Sequence, residues 1–102
     1  MTVETDDWRT SQLDALFEAV LRLRTTDEAA AFFRDLCTRR ELEEFSHRWA
    51  VVRLLDRGVP YREIAELTGA STATVTRINQ WLRHGMGGYR LALDRSAKEE
   101  GP

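Results

Sequence analysis

Tyr61–Gln80 reads YREIAELTGASTATVTRINQ, and its spacing predicts a helix-turn-helix, the unit that holds one helix in the DNA major groove. Ala65 falls where the two helices touch and permits close approach. Gly69, four residues on, can take the positive φ that ends the first helix and turns the chain. Val75 and Ile78, three apart, share one face of the second helix and point back toward Ile64 and Ala65. Ordinary helical pairs produce this pattern too, so the surrounding sequence matters.

Placing Val75, Ile78 and Leu82 inward at about 100° per residue leaves Thr72, Ala73, Thr76, Arg77 and Gln80 outward. That face is short and polar, so the helix can go deep into a groove. Threonine offers a hydroxyl to base edges and a methyl to thymine; Ala73 can meet a thymine methyl, and Gln80 can pair with adenine. Arg62, on the first helix of the unit, points to the same groove edge. Ser71 and the backbone N–H groups that follow it would hold a phosphate. Each threonine taken singly is equally well a surface residue of a helix.

Outward from this unit the chain reads as a row of helices, with no segment alternating at the strand period. One helix is expected over about Ser11–Arg24, with Leu13, Leu16, Phe17, Val20 and Leu21 as its apolar stripe. Thr25 and Glu28 form a capping box that opens a second helix, and Thr38 and Glu41 repeat the spacing to open a third. The third runs to Arg57, where Gly58 stops it, with Leu42, Phe45, Trp49, Val52 and Leu55 as its core stripe. Pro60 stands at the start of the fourth helix, where its missing N–H costs nothing, and Ser71 caps the fifth. That helix fades near Gly85, in the glycine-rich run His84-Gly85-Met86-Gly87-Gly88. A short sixth helix carries Tyr89, Leu91, Ala92 and Leu93, and residues 96–102 form a frayed tail.

Composition sets the limits. A chain of 102 residues is one structural domain with a modest core, which a second copy would enlarge. The single cysteine, Cys37, excludes a disulfide framework or cysteine-based metal cluster within one chain and reads as a small packed side chain. No apolar run approaches the roughly 20 residues needed to cross a bilayer. The first residues, Met1–Trp8, are acidic and lack a basic-then-apolar export signal, so a cytoplasmic location is expected. His47 and His84 are the only histidines. With no acid–base pair, metal cluster or phosphate-cradling loop legible, neither catalysis nor a cofactor is expected.

The net charge of −2 looks wrong for a DNA binder until it is divided. Residues 1–47 hold 11 acids against 6 arginines, whereas residues 48–95 hold 8 arginines against 4 acids. Such asymmetry suits a molecule of which one part meets phosphates. Arginine also suits bidentate contact with phosphate or guanine. A solvated face with scattered charges is the plainer alternative. The acidic half carries two strongly amphipathic helices too small to enclose Trp8, Phe17, Phe32 and Phe33. Trp8–Leu36 is therefore expected to build a homodimer interface, unless these helices fold back on their own third helix. The expected division is residues 1–37 for dimerisation and 38–95 for the DNA-binding core with its C-terminal helix.

The stretch ELEEFSHRWAVVRLLDRGVPYREIAELTGASTATVTRINQWLRHGMGGYRLALDR resembles the Trp repressor superfamily, specifically its YerC/YecD-like branch. The likeness covers roughly Leu36–Arg95 and is most specific in REIAELTGASTATVTR and HGMGGY. It implies an all-α, intertwined homodimer whose two helix-turn-helix units enter successive major grooves, and a bacterial transcription regulator. It places Arg62, Thr72, Ala73 and Thr76 at operator-facing positions. Arg48 and Arg77 match the two arginines that sandwich tryptophan in the repressor, and Thr38 matches a threonine near the ligand's amino group. A glycine and a serine of that pocket are Ile78 and Trp81 here. Two bulky side chains are expected to fill the cavity, which argues against tryptophan as co-repressor and against a small-molecule effector.

The leading expectation is a sequence-specific regulator that binds double-stranded DNA as a homodimer, a repressor by steric occlusion. The alternative is a helical interaction module whose helix-turn-helix docks a protein partner.

Overall fold

The computed structural model describes residues 8–100, with side chains described through Lys98. The expected acidic N-terminus, except Trp8, and the last two residues of the tail lie outside the described residues. Among those described there are six helices and no strand: α1 (Ser11–Leu21), α2 (Thr26–Leu36), α3 (Arg39–Asp56), α4 (Tyr61–Thr68), α5 (Thr72–His84) and α6 (Gly88–Glu100). The fold is all-α, as the periodicity predicts. Two compact units divide between Leu42 and Glu43, inside α3.

The first unit contains α1, α2 and the opening of α3. Caps define its helices. The Thr10 hydroxyl accepts the Leu13 N–H at 3.1 Å and starts α1. This helix stops at Leu21, short of the expected Arg24. The N–H groups of Arg22 and Leu23 turn back to the carbonyls of Ala19 and Val20, both at 3.1 Å, tightening the last turn. Arg24 already belongs to the next cap, because its N–H donates to Glu28 Oε1 at 2.8 Å while the Thr25 hydroxyl accepts the Glu28 N–H at 3.0 Å. At α3 the capping box closes reciprocally: Glu41 N–H to Thr38 Oγ1 at 3.1 Å and Thr38 N–H to Glu41 Oε1 at 2.8 Å. Such caps each contribute about 1 kcal/mol.

No described side chain of this unit is buried. Phe17 and Trp8 meet edge to face with ring centroids 6.5 Å apart, and Phe32 and Phe33 do so at 5.5 Å.

The second unit holds every buried residue among those described: Val51, Val52 and Leu55 of α3, Ile64 of α4, Val75, Ile78 and Leu82 of α5, and Leu93 of α6. Trp49, Leu54, Val59, Ala70 and Tyr89 pack around it half-buried. Of the stripe expected on α3, Val52 and Leu55 are buried and Trp49 packs against the core. Phe45 is exposed and lies under the Arg48 guanidinium, 5.9 Å from its ring centroid, while Val51 enters the core. Helix α6 runs through Ser96 to Glu100, so the tail expected to fray from residue 96 is helical as far as Glu100. Arg90 fixes this helix by bonding Asp94 one turn on at 3.1 Å and Asp56, at the end of α3, at 2.8 Å. The Asp56 bond is the main cause that raises the already high pKa of Arg90, so this side chain keeps its charge.

Candidate nucleic-acid interface

Helices α4 and α5 and the turn between them form the helix-turn-helix. Pro60 precedes the first helical residue of α4 with extended backbone (ψ 149°). At the other end Gly69 takes φ 81° and its N–H returns to the Ala65 carbonyl at 2.9 Å. The Thr68 hydroxyl fastens the turn, donating to the Ile64 carbonyl at 2.8 Å and accepting the Ala70 N–H at 3.2 Å. Ser71 then caps α5, accepting the Thr74 N–H at 3.1 Å.

Ile64 and Val75 are fully buried, and Ile78 and Leu82 nearly so. They seat α5 by one face and leave the opposite one outward. Thr72, Ala73, Thr76, Arg77 and Gln80 are all exposed, as the helical wheel places them. Arg62 is exposed on α4 and, among the described residues, has no internal hydrogen bond or ion pair.

The hydroxyls of this region are not equivalent. Ser71 Oγ donates to Thr74 Oγ1 at 3.0 Å, and Arg77 Nη2 donates to the same oxygen at 3.2 Å. Thr76 donates to the Thr72 carbonyl at 2.9 Å. Among the described residues Thr72 keeps its hydroxyl free of internal bonds. The spacing of Ser71, Thr74 and Arg77 at i, i+3 and i+6 is the sequence signal for this chain of bonds, although composition alone gave Thr74 no role.

Arg77 and Arg48 are brought together in a cleft of about 520 Å³, with Thr74, Ile78, Trp81 and Tyr89 as its other walls. Two guanidiniums and no carboxylate line it, so its potential favours an anion. Tyr89 is held against Trp49 with ring centroids 6.1 Å apart. The expectation that Ile78 and Trp81 fill this space is not met within the chain. Ile78 is 8% exposed and turns into the core, so it forms only the floor; Trp81 is 64% exposed and forms a wall. Thr38 belongs to the first unit, where its side chain is spent on the cap of α3.

Several described residues could ligate metals singly, but no group of three or more is gathered as a metal site. No described helix is long and apolar enough to cross a membrane.

Comparison with known proteins places this geometry. The chain is 40% identical over 98 residues, covering 96% of it and 94% of its relative, to the uncharacterised protein YerC of Bacillus subtilis (strain 168). A crystal structure of a TrpR-like protein from Eubacterium eligens superposes with a TM-score of 0.80 at 42% identity, over 85% of this chain and 90% of that one. A candidate Trp repressor from Staphylococcus aureus gives a TM-score of 0.82 at 38% identity, over 94% of both. The model of the Trp repressor protein family matches residues 11–97, from the first turn of α1 almost to the end of α6, and the chain belongs to that family.

Proposed function

We propose that the protein is a sequence-specific, DNA-binding transcription regulator that works as a homodimer and represses by covering its operator. The observation that carries this reading is the α5 surface. A helix anchored by Val75, Ile78 and Leu82 presents Thr72, Ala73, Thr76 and Gln80 to solvent, beside an unpaired arginine, Arg62. Side chains this short let the helix backbone approach base edges, and Arg62 can address guanine or phosphate. The first-turn N–H groups of α5 and the arginines of residues 48–95 supply the phosphate contacts, so affinity should fall steeply with salt.

Dimerisation is supported by the first unit. Amphipathic helices with no buried residue, bearing Phe17 at 40% exposure and Leu21 at 83%, stabilise themselves poorly alone and gain by covering one another in a second copy. Two copies would present two recognition helices to one face of the duplex.

Tryptophan is not proposed as co-repressor. The cleft beside Arg48 and Arg77 is open, so the support for this is the exchange of residues and not a filled cavity: Ile78 and Trp81 stand where the family resemblance implies small residues around the indole.

Selection of bound duplexes from a random library, in dilute buffer and with the full chain, tests the reading. Enrichment of a two-fold symmetric motif is expected. If no duplex is retained, the DNA-reading role fails and the helix-turn-helix is a protein-docking surface.

A further inference from the structure

The hydrogen bond from Thr76 to its own helix limits what this side chain can read. A threonine hydroxyl has one proton and two lone pairs. Here the proton is given to the Thr72 carbonyl at 2.9 Å, so the exposed side of Thr76 presents lone pairs and a γ-methyl. Turning the proton outward forfeits that bond.

In the major groove only the N6 amino group of adenine and the N4 amino group of cytosine donate; guanine and thymine present acceptor oxygens. A hydroxyl that only accepts can bond the first two and meets the lone pairs of the others. Ala73, one turn earlier on the same exposed face, adds a bare methyl beside the Thr76 γ-methyl. The apolar group that a base edge offers here is the thymine methyl. An A·T pair satisfies both demands, with the adenine amino group toward the Thr76 oxygen and the thymine methyl toward the two protein methyls. A C·G pair satisfies only the first.

Resting on the DNA-reading role proposed above, we infer that Thr76 selects an A·T pair by acting as a hydrogen-bond acceptor for the adenine amino group. Neighbouring hydroxyls do not share this property. Among the described residues the Thr72 hydroxyl has no internal bond, so it can donate or accept and discriminates less. Ser71 spends its proton on Thr74, away from any base.

The test starts from a duplex enriched by the wild-type protein. Each adenine of a half-site is replaced in turn by purine, which lacks the 6-amino group, and binding is followed by fluorescence anisotropy. One replacement should weaken the wild-type protein by about five-fold, the value of a single neutral hydrogen bond. Thr76→Val keeps the methyls and loses the oxygen, so it should be indifferent to that same replacement. Thr76→Ser should keep the sensitivity. Thermal unfolding of each variant confirms that this exposed substitution leaves the fold intact. If Thr76→Val retains the wild-type sensitivity at every adenine, the inference is overturned while the DNA-binding role stands. If the wild-type protein enriches no duplex at all, both fall together.

Discussion

Arg77 Nη2 donates to Thr74 Oγ1 across 3.2 Å, and this bond keeps a guanidinium of the recognition helix in the cleft it shares with Arg48. Thr74 can hold it because its oxygen also receives the Ser71 hydroxyl at 3.0 Å, which fixes the threonine rotamer at the first turn of α5. Thr74→Val removes both bonds at nearly constant volume. Released, Arg77 can reach phosphates on any sequence, so the ratio of affinities for a selected and a scrambled duplex should fall by about three-fold. Paired anisotropy titrations at one salt concentration check this.

Arg62 has the opposite situation, with no internal partner among the described residues to leave. Arg62→Ala is expected to cost about 1–3 kcal/mol on the selected duplex and much less on random DNA. Equal losses on both would assign Arg62 to phosphate and remove it from base reading.

Two glycines bound α4 and α5 for different physical reasons, and their alanine variants should separate them. At Gly69 an added Cβ meets nothing within 4 Å, but φ is +81°. Gly69→Ala should therefore cost about 1 kcal/mol of backbone strain, and Gly69→Asn less. At Gly85 the Cβ would run into the Trp81 carbonyl oxygen and come within 3.0 Å of Trp81 Cε3. Gly85→Ala must shift the last turn of α5 and should cost about 1–3 kcal/mol. Thermal denaturation monitored by circular dichroism ranks them.

Much of this architecture was legible because its signals are local. Thr25–Glu28 and Thr38–Glu41 are capping pairs readable by spacing, and both are formed. Gly69 followed from the positive φ that the turn requires, and the Val75/Ile78/Leu82 face from helical period. The misses have causes of more than one kind. Helix α1 ends early because Arg24 is committed to a neighbouring cap. Phe45 shares its stripe with Trp49, but the core packs against Val51. The sixth helix continues past Ser96 in a stretch whose polar composition looked like a tail, and Arg90 ties that helix to Asp56, 34 positions away in the chain. At the candidate site, helical period placed the outward residues, but the direction of each hydroxyl proton depends on backbone geometry that spacing does not encode. The cleft stayed hidden because periodicity does not tell which of two bulky residues turns inward; Ile78 does and Trp81 does not.

A homodimer built through the first unit predicts a sharp response to one added charge there. Phe17→Asp puts a carboxylate on the apolar face of α1, among Leu13, Leu16 and Val20. Sedimentation equilibrium should give twice the chain mass for the wild type and a large shift toward the single chain for the variant. A wild-type monomer at tens of micromolar would remove the dimer from the proposed function.

Isothermal calorimetry addresses the cleft directly. Titrated with tryptophan, the protein should give no heat beyond dilution, and operator affinity should not change when tryptophan is added. Saturable binding that also tightens the DNA complex would restore co-repression despite Ile78 and Trp81.

Helix α4 is eight residues long and sends a single fully buried side chain, Ile64, into the core. A segment so short holds its coil only through that anchor and the Thr68–Gly69 fastening. Its amides should consequently exchange with solvent through openings smaller than global unfolding. Part of the recognition unit is then supple until a groove stiffens it, and binding would be accompanied by an entropic cost confined to about two turns of polypeptide.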